Sequence, residues 1–104
     1  MARFDVYRHP DAALRKATPF LLDIQNDYIS GMDSRVVLPL RPARLFGLPM
    51  RDLNPSFDID GVAVVLDTPA IAAFPAAELR NPVASLRAQS ELIVGALDTL
   101  FGSY

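Results

Sequence analysis

Apolar runs and alternating polarity predict strands along the first part of the chain. Residues 3–7 alternate in polarity, as expected of a strand with one buried face. Residues 19–27 begin with a nearly continuous apolar run, which favours a central strand. Residues 35–40 have the same character, and the short glycine-containing loop between these two runs favours an antiparallel pair. Because Pro39 has no backbone N–H, we expect the sheet to end, bulge or lie at an edge there.

A β-hairpin is the clearest local signal in the second half of the chain. Residues 56–59 and 62–66 flank Asp60-Gly61, a dipeptide suited to the positive φ angles of a type I′ turn. The segment after the hairpin is rich in alanine and proline and predicts only a short strand or turn around residues 71–74.

A single long helix is predicted over residues 86–101. Ser85 suits the N-cap position, and Gly102 suits the left-handed conformation that commonly ends a helix. The apolar stripe of this helix consists of Leu86, Ile93, Leu97 and Leu100. Strands followed by one helix predict a small α+β domain.

Composition narrows the functional classes. The chain has 104 residues, of which 51% are hydrophobic, and this predicts a single domain over residues 1–104. The formal net charge of −2 argues against direct nucleic-acid binding, which usually requires a basic surface. The chain has no cysteine, so disulfides and thiolate metal sites are excluded. Its first residues are charged and no long apolar run follows, so we expect no signal peptide, no membrane span and a cytoplasmic location.

The groups that could carry chemistry do not form a catalytic constellation. His9 is the only histidine, and its position in a charged turn predicts a surface residue rather than a general base. Asp23, Gln25 and Asp27 share one face of their strand, and we expect that face to be turned to solvent. Four arginines either form a local patch or decorate strand ends and loops: Arg35, Arg41, Arg44 and Arg51. We therefore expect no catalytic residue, no metal site, no cofactor and no enzyme activity.

The predicted helix leads into Phe101, Gly102, Ser103 and Tyr104. Terminal residues are normally polar, so two aromatic side chains here indicate a tail that docks on a partner. The alternative is that these side chains pack on the protein's own surface or on a twin subunit.

Five segments together resemble the CcdB family, the toxin component of bacterial toxin–antitoxin pairs. They are RFDVY at 3–7, PFLLDIQNDYI at 19–29, RVVLPLRPARL at 35–45, NPSFDIDG at 54–61 and ALDTLF at 96–101. The second and third segments are the most specific. The resemblance implies a homodimer of small antiparallel-sheet subunits, partly open barrels of the CcdB and MazF type, each with a long C-terminal helix.

The resemblance also implies a target. Family members bind the A subunit of DNA gyrase and trap the enzyme on cleaved DNA, and the contacts fall at Phe101, Gly102, Ser103 and Tyr104. The best-known family pattern ends in Phe-Trp-Gly-Ile, whereas this chain has no tryptophan and Gly102 stands at the indole position. Either Tyr104 replaces the aromatic anchor, the target is a different gyrase, or this member no longer poisons gyrase.

The second partner implied by the resemblance is a CcdA-like antitoxin, whose complex with the toxin represses its own operon. In that complex the antitoxin makes the DNA contacts. The antitoxin site falls at Tyr28 and Ile29, with Asp98 on the helix close to the same surface. Exposed apolar side chains at a strand end suit a peptide that folds on binding. Packing of Tyr28 and Ile29 in the core is the alternative.

Two further functions stay open at this point. One is an endoribonuclease toxin of the MazF type, in which Arg35, Arg41 and Arg44 would form a cationic groove that stabilises the transition state. The other is a non-toxic relative that retains only antitoxin binding.

Overall fold

A computed structural model describes residues 1–29 and 31–102. Within these residues the strands are β1 (Asp5–Arg8), β2 (Phe20–Asp23), β3 (Ser34–Pro42), β4 (Ser56–Ile59), β5 (Val62–Leu66), β6 (Ala72–Pro75) and β7 (Ala84–Ser85). A one-turn helix α1 (Ala43–Phe46) follows β3, and the longer helix α2 (Ser90–Phe101) follows β7. All strand pairs are antiparallel in the order β4-β5-β3-β2-β1-β7, with β6 also paired to β3. The sheet curls into a nearly closed barrel, so the predicted α+β class is confirmed.

The long strand β3 is the centre of the sheet, and it continues through Pro39. On one side Pro39 pairs with Leu21 of β2. On the other side β3 pairs first with β6 and then with β5, and Pro39 lies between these two partners. Its carbonyl there accepts the Asp67 N–H at 3.0 Å. Proline lacks a backbone N–H, and Pro39 lies at the position where the pairing of β3 changes from β6 to β5. The expected interruption of the sheet therefore affects only that side of β3.

The predicted hairpin is confirmed. Ile59 pairs with Val62, and the two residues between them have positive φ angles of 51° at Asp60 and 79° at Gly61. Two positive φ angles in a two-residue loop match the right-handed twist of the flanking strands. The Asp58 carboxylate also accepts the Gly61 N–H at 2.9 Å.

Two glycine substitutions should change stability in opposite directions. We expect Gly61→Ala to lower the free energy of unfolding by about 1 kcal/mol, because an alanine side chain disfavours positive φ. Gly95→Ala, inside α2, should raise it by about 0.5–1 kcal/mol. An added Cβ meets no atom within 4 Å at either position, so conformation alone separates the two. Urea denaturation measures both, and equal effects would contradict this explanation.

Apolar side chains cover both faces of the central strands. The larger cluster lies between the sheet and α2 and consists of Phe4, Val6, Phe20, Leu22, Ile24, Leu38, Leu40, Phe57, Ile59, Val64, Leu66, Leu86 and Ile93. A smaller cluster lies on the opposite face and consists of Tyr7, Leu21, Val37 and Leu79, with Phe74 packed against it. The central strands β2 and β3 are therefore buried on both faces, whereas an antiparallel sheet commonly has one face exposed to solvent.

The helix begins later than its apolar pattern predicts. The expected start was Leu86 with Ser85 as N-cap, but Ser85 belongs to β7 and α2 begins at Ser90. The Ser85 hydroxyl accepts the Arg87 N–H at 3.3 Å, within a short 3₁₀ turn that precedes the helix. The end is as predicted, because Gly102 adopts the left-handed conformation with φ 73°. No helix in residues 1–29 and 31–102 is long and apolar enough to cross a membrane.

Candidate functional site

Two apolar side chains face solvent in the short 3₁₀ turn Asp27–Ile29, which we call the Tyr28 turn. Tyr28 is 93% exposed and Ile29 is 44% exposed. The alternative of core packing for these two residues is therefore wrong. A tyrosine held almost completely in water leaves a large amphipathic surface available to a partner.

Polar side chains just before the Tyr28 turn hold its backbone. The Asn26 carboxamide oxygen accepts the Tyr28 N–H at 2.9 Å, and the Gln25 amide donates to the Ile29 carbonyl at 3.2 Å. The other end of the same Gln25 amide accepts the Val36 N–H of β3 at 3.0 Å. Because Gln25 is buried and bonded at both ends, it links the turn to the sheet.

Asp27 connects the turn to two other segments of the chain. One carboxylate oxygen accepts the Arg3 N–H at 2.7 Å, and the other lies 3.5 Å from the Arg87 guanidinium. Arg87 also donates to the Arg3 carbonyl at 3.1 Å. The Arg87 side chain is 59% exposed and the Asp27 side chain 50% exposed, so the ion pair itself contributes little stability. Its effect is to set the position of the turn beside the start of the helical region.

Phe4 is the strained residue under this arrangement. Its φ of 75° is uncommon for a bulky side chain, and backbone bonds to Asp23 at 2.7 Å and from Leu86 at 2.9 Å maintain it. The Phe4 ring lies 4.8 Å from the Arg3 guanidinium and 5.9 Å from that of Arg87. These cation–π contacts place both arginines next to the Tyr28 turn.

The polar face expected at the surface is mostly buried, so that prediction is wrong. Asp23 is completely buried, Gln25 is 6% exposed, and only Asp27 reaches solvent. Arg35 is also completely buried, and its Nε and Nη2 lie 2.8 and 2.7 Å from one Asp23 carboxylate oxygen. The second oxygen accepts the Gln25 N–H at 3.0 Å. The Asp23 carboxylate is therefore hydrogen-bonded by Arg35 of the adjacent strand and not by solvent.

Burial changes the acid–base properties of this region. It raises the pKa of the Asp23 carboxyl above its ordinary value, against the opposing effects of the Gln25 N–H and the Arg35 guanidinium. Burial, reinforced by the negative charge of Asp5, likewise raises the pKa of Tyr7 to about 12. These groups support the sheet behind the Tyr28 turn and do not face solvent.

Arg35 and Arg41 are not available for the RNA-binding surface that the endoribonuclease hypothesis requires. Arg35 is closed to solvent, and the half-buried Arg41 is bonded to Asp67 at 2.6 Å and to the Thr18 hydroxyl at 2.5 Å. Arg35 does lie at the start of β3, as one alternative expected, but it is completely buried and not exposed at the surface. Of the predicted patch, Arg44 and Arg51 are exposed.

His9 is buried rather than at the surface, so that expectation is also wrong. It is 6% exposed, its Nδ1 accepts the Asp11 N–H at 3.0 Å, and its ring meets Phe74 edge-on at 5.5 Å. Within the described part of the chain, no three acidic or histidine side chains are grouped in a way that could hold a metal ion.

Of the residues predicted to contact gyrase, Phe101 and Gly102 lie at the C-terminal end of α2. Phe101 is 68% exposed, and the N–H of Gly102 donates to the Asp98 carbonyl at 3.0 Å. Ser103 and Tyr104 lie outside the described residues. Asp98 is exposed in the last turns of the helix.

The structure brings Tyr28 and Ile29 together and ties them to Arg87, just before α2. Asp98 lies in the last turns of α2, eleven residues after Arg87 and at the end of the helix away from it.

Residues 3–102 match the family model described as CcdB protein. The chain belongs to the CcdB family. Among curated proteins, none matches it significantly. CcdB membership assigns the chain to the toxins of toxin–antitoxin systems and implies an antitoxin as the kind of partner. The family match ends at Gly102, so it includes two of the four tail residues predicted to contact gyrase.

Proposed function

We propose that this CcdB-family chain is a type II toxin that acts by binding and not by catalysis. As a cytoplasmic homodimer it binds the A subunit of DNA gyrase and traps the gyrase–DNA cleavage complex. A CcdA-like antitoxin neutralises it by occupying the Tyr28 turn, and DNA is contacted only through the antitoxin complex. The observation that carries this proposal is the Tyr28 turn itself, a rigidly held apolar pair that faces solvent on a family member.

The Tyr28 turn has the properties of a preformed peptide-binding surface. Its backbone is fixed by Asn26, Gln25 and Asp27, so little conformational entropy remains to be lost when a partner binds. Tyr28 supplies a large contact area with few rotatable bonds, as at many interface hot spots. An unfolded antitoxin segment could bury this pair as it folds.

The exposed end of α2 supports the gyrase contact. Phe101 is held at the last position of the helix with more than half of its surface in water. An exposed aromatic side chain at the end of a rigid helix suits insertion into a pocket of another protein. The residues after Gly102 would then extend the same contact.

The burial of Arg35 supports a binding mode of action over RNA cleavage. A residue that stabilises a phosphorane-like transition state must reach the substrate, and Arg35 is inaccessible and paired with Asp23. Arg41 is likewise committed to Asp67 and Thr18. Of the three arginines in the endoribonuclease hypothesis only Arg44 is exposed, so the three do not face one substrate together.

Substitution of the exposed aromatic residue tests the gyrase contact. We expect Phe101→Ala to reduce killing and gyrase-dependent DNA cleavage, because loss of a hot-spot aromatic side chain costs about 2–4 kcal/mol of binding. The measurement is expression in a host that carries the native gyrase, together with cleavage assays on purified gyrase A subunit. Leu92→Ala is the matched control, since Leu92 is 54% exposed on the same helix.

A chain shortened by Ser103 and Tyr104 tests the remainder of the tail. If Tyr104 replaces the missing tryptophan, this shortened chain should lose toxicity while it still binds antitoxin. Equal killing by the full-length and shortened chains would place the gyrase contact elsewhere. RNA cleavage without added metal by the purified protein would contradict the proposed mode of action.

A further inference from the structure

A groove of about 400 Å³ with a cationic rim lies at the start of β2, away from the Tyr28 turn. The residues that line it include the exposed cations Arg15, Lys16 and Arg44, which we call its rim, and the apolar residues Pro19, Pro42 and Val62, which we call its floor. We call it the cationic groove. Segments distant in sequence form it: the turn before β2, the end of β3 with α1, and the start of β5.

The positive charge of this groove is not neutralised. All three rim cations are exposed, no Asp or Glu lines the groove, and none of the three forms an ion pair among the described residues. By contrast, Arg35, Arg41 and Arg87 each pair with a carboxylate. The Arg15 Nε donates to the His9 carbonyl at 2.6 Å, which fixes that side chain at the rim. Three cations that form no ion pair among the described residues therefore lie together on a protein whose net charge is −2.

The combination of rim and floor selects the class of ligand. An apolar floor gains from burial against apolar side chains, which a phosphate backbone lacks. An extended peptide that alternates acidic and apolar residues complements both parts, with carboxylates at the rim and aliphatic groups on the prolines and Val62.

We propose that the cationic groove binds an extended acidic peptide segment of a partner protein. This site is separate from the proposed antitoxin site. Pro19 precedes the first residue of β2, whereas the Tyr28 turn follows its last, and Pro42 and Ser34 are the corresponding opposite ends of antiparallel β3. The groove and the turn thus lie at opposite ends of the β2–β3 pair. The inference does not rest on gyrase or antitoxin binding.

The test is a titration of the ¹⁵N-labelled protein with a synthetic nine-residue peptide of alternating Glu and Leu, followed by amide chemical shifts. We expect the largest shifts at Lys16, Gly61 and Ala63, and weaker binding as salt rises. Lys16→Glu/Arg44→Glu should weaken binding at least about tenfold. Arg80→Glu is the matched control, because Arg80 is exposed and lines no part of the groove. Tyr28→Ala should leave peptide binding unchanged.

Three outcomes would overturn the proposal. The first is equal binding of a peptide with Gln in place of Glu, since the rim charge would then have no role. The second is tighter binding of a nine-nucleotide RNA than of the acidic peptide at these same amides. The third is an absence of shifts at the groove up to millimolar peptide. Loss of peptide binding in Tyr28→Ala, with the double variant unaffected, would instead move the site to the Tyr28 turn.

Discussion

Replacing Arg35 by methionine should lower the free energy of unfolding by about 3–5 kcal/mol, because it leaves the Asp23 carboxylate buried without a counter-charge. Both side chains are completely inaccessible, and the two closest nitrogen–oxygen distances are 2.7 and 2.8 Å. Methionine keeps an unbranched side chain of similar reach, so lost packing adds little. Urea denaturation followed by circular dichroism gives the value.

The double variant Arg35→Met/Asp23→Asn separates the lost charge from the lost shape. Asparagine retains an oxygen that can accept the Gln25 N–H but carries no charge, so this variant should recover a large part of the lost stability. The wild-type pair is itself incompletely compensated, since Arg35 Nη1 is buried without a hydrogen-bond partner among the described residues. A double variant no more stable than Arg35→Met would show that the charge is not the cause.

The pH dependence of Arg35→Met provides a second readout. Burial already raises the pKa of Asp23, and removal of the opposing guanidinium should raise it further. A carboxyl whose pKa is higher in the folded state than in the unfolded state stabilises the fold when protonated, and that stabilisation is lost as pH rises through the folded-state pKa. The deficit of Arg35→Met relative to wild type should therefore shrink as pH falls from neutral toward the ordinary aspartate pKa of about 4. A deficit that is constant over this range would contradict burial of an ionised carboxylate.

The hairpin, the paired central strands and the end of the helix were predictable because their signals are local. Asp60-Gly61 imposes its own turn, and Gly102 ends α2 through its own φ angle. The start of the helix was not predictable in this way. Leu86 fits the apolar stripe of the helix, but Ser85 beside it pairs with Asp5 of β1, and no helical pattern reveals that pairing.

Burial was predicted least well, because it depends on which segments cover a face. Alternation correctly placed Asp23 and Gln25 on one face of the chain, but the pairing of β3 with β6 and the position of Arg35 close that face to water. His9 is likewise covered by Phe74, which lies 65 residues later in the chain. The sequence did contain one usable sign, a continuous apolar run around Asp23, which is typical of a strand buried on both sides.

The exposure of the Tyr28 turn could not be predicted from its composition, since tyrosine and isoleucine are buried more often than not in such positions. The resemblance to the CcdB family pointed to both residues, and the structure adds the hydrogen bonds that keep them outside. Asp27, Gln25 and Asn26 are polar because they bind backbone groups of the turn and its neighbours. The polar residues 25–27, which follow β2, thus hold the two apolar residues Tyr28 and Ile29 in their exposed position.

The double variant Tyr28→Ala/Ile29→Ala should weaken binding of the antitoxin by about 30- to 1,000-fold, which corresponds to loss of about 2–4 kcal/mol from a hot-spot pair. The ligand is a CcdA-like antitoxin, and isothermal titration calorimetry measures the change. Leu48→Ala is the control, because Leu48 is 96% exposed in a different loop.

Stability decides how a loss of affinity in this double variant is interpreted. Tyr28 is almost completely in water and Ile29 is 44% exposed, so their removal should change the free energy of unfolding by no more than about 1 kcal/mol. Unchanged stability with weakened antitoxin binding and intact toxicity would mean that the Tyr28 turn serves neutralisation alone. Loss of toxicity as well would mean that gyrase and antitoxin compete for this turn. Unchanged antitoxin affinity would remove the turn from the interface, and the exposed tyrosine would then need another partner.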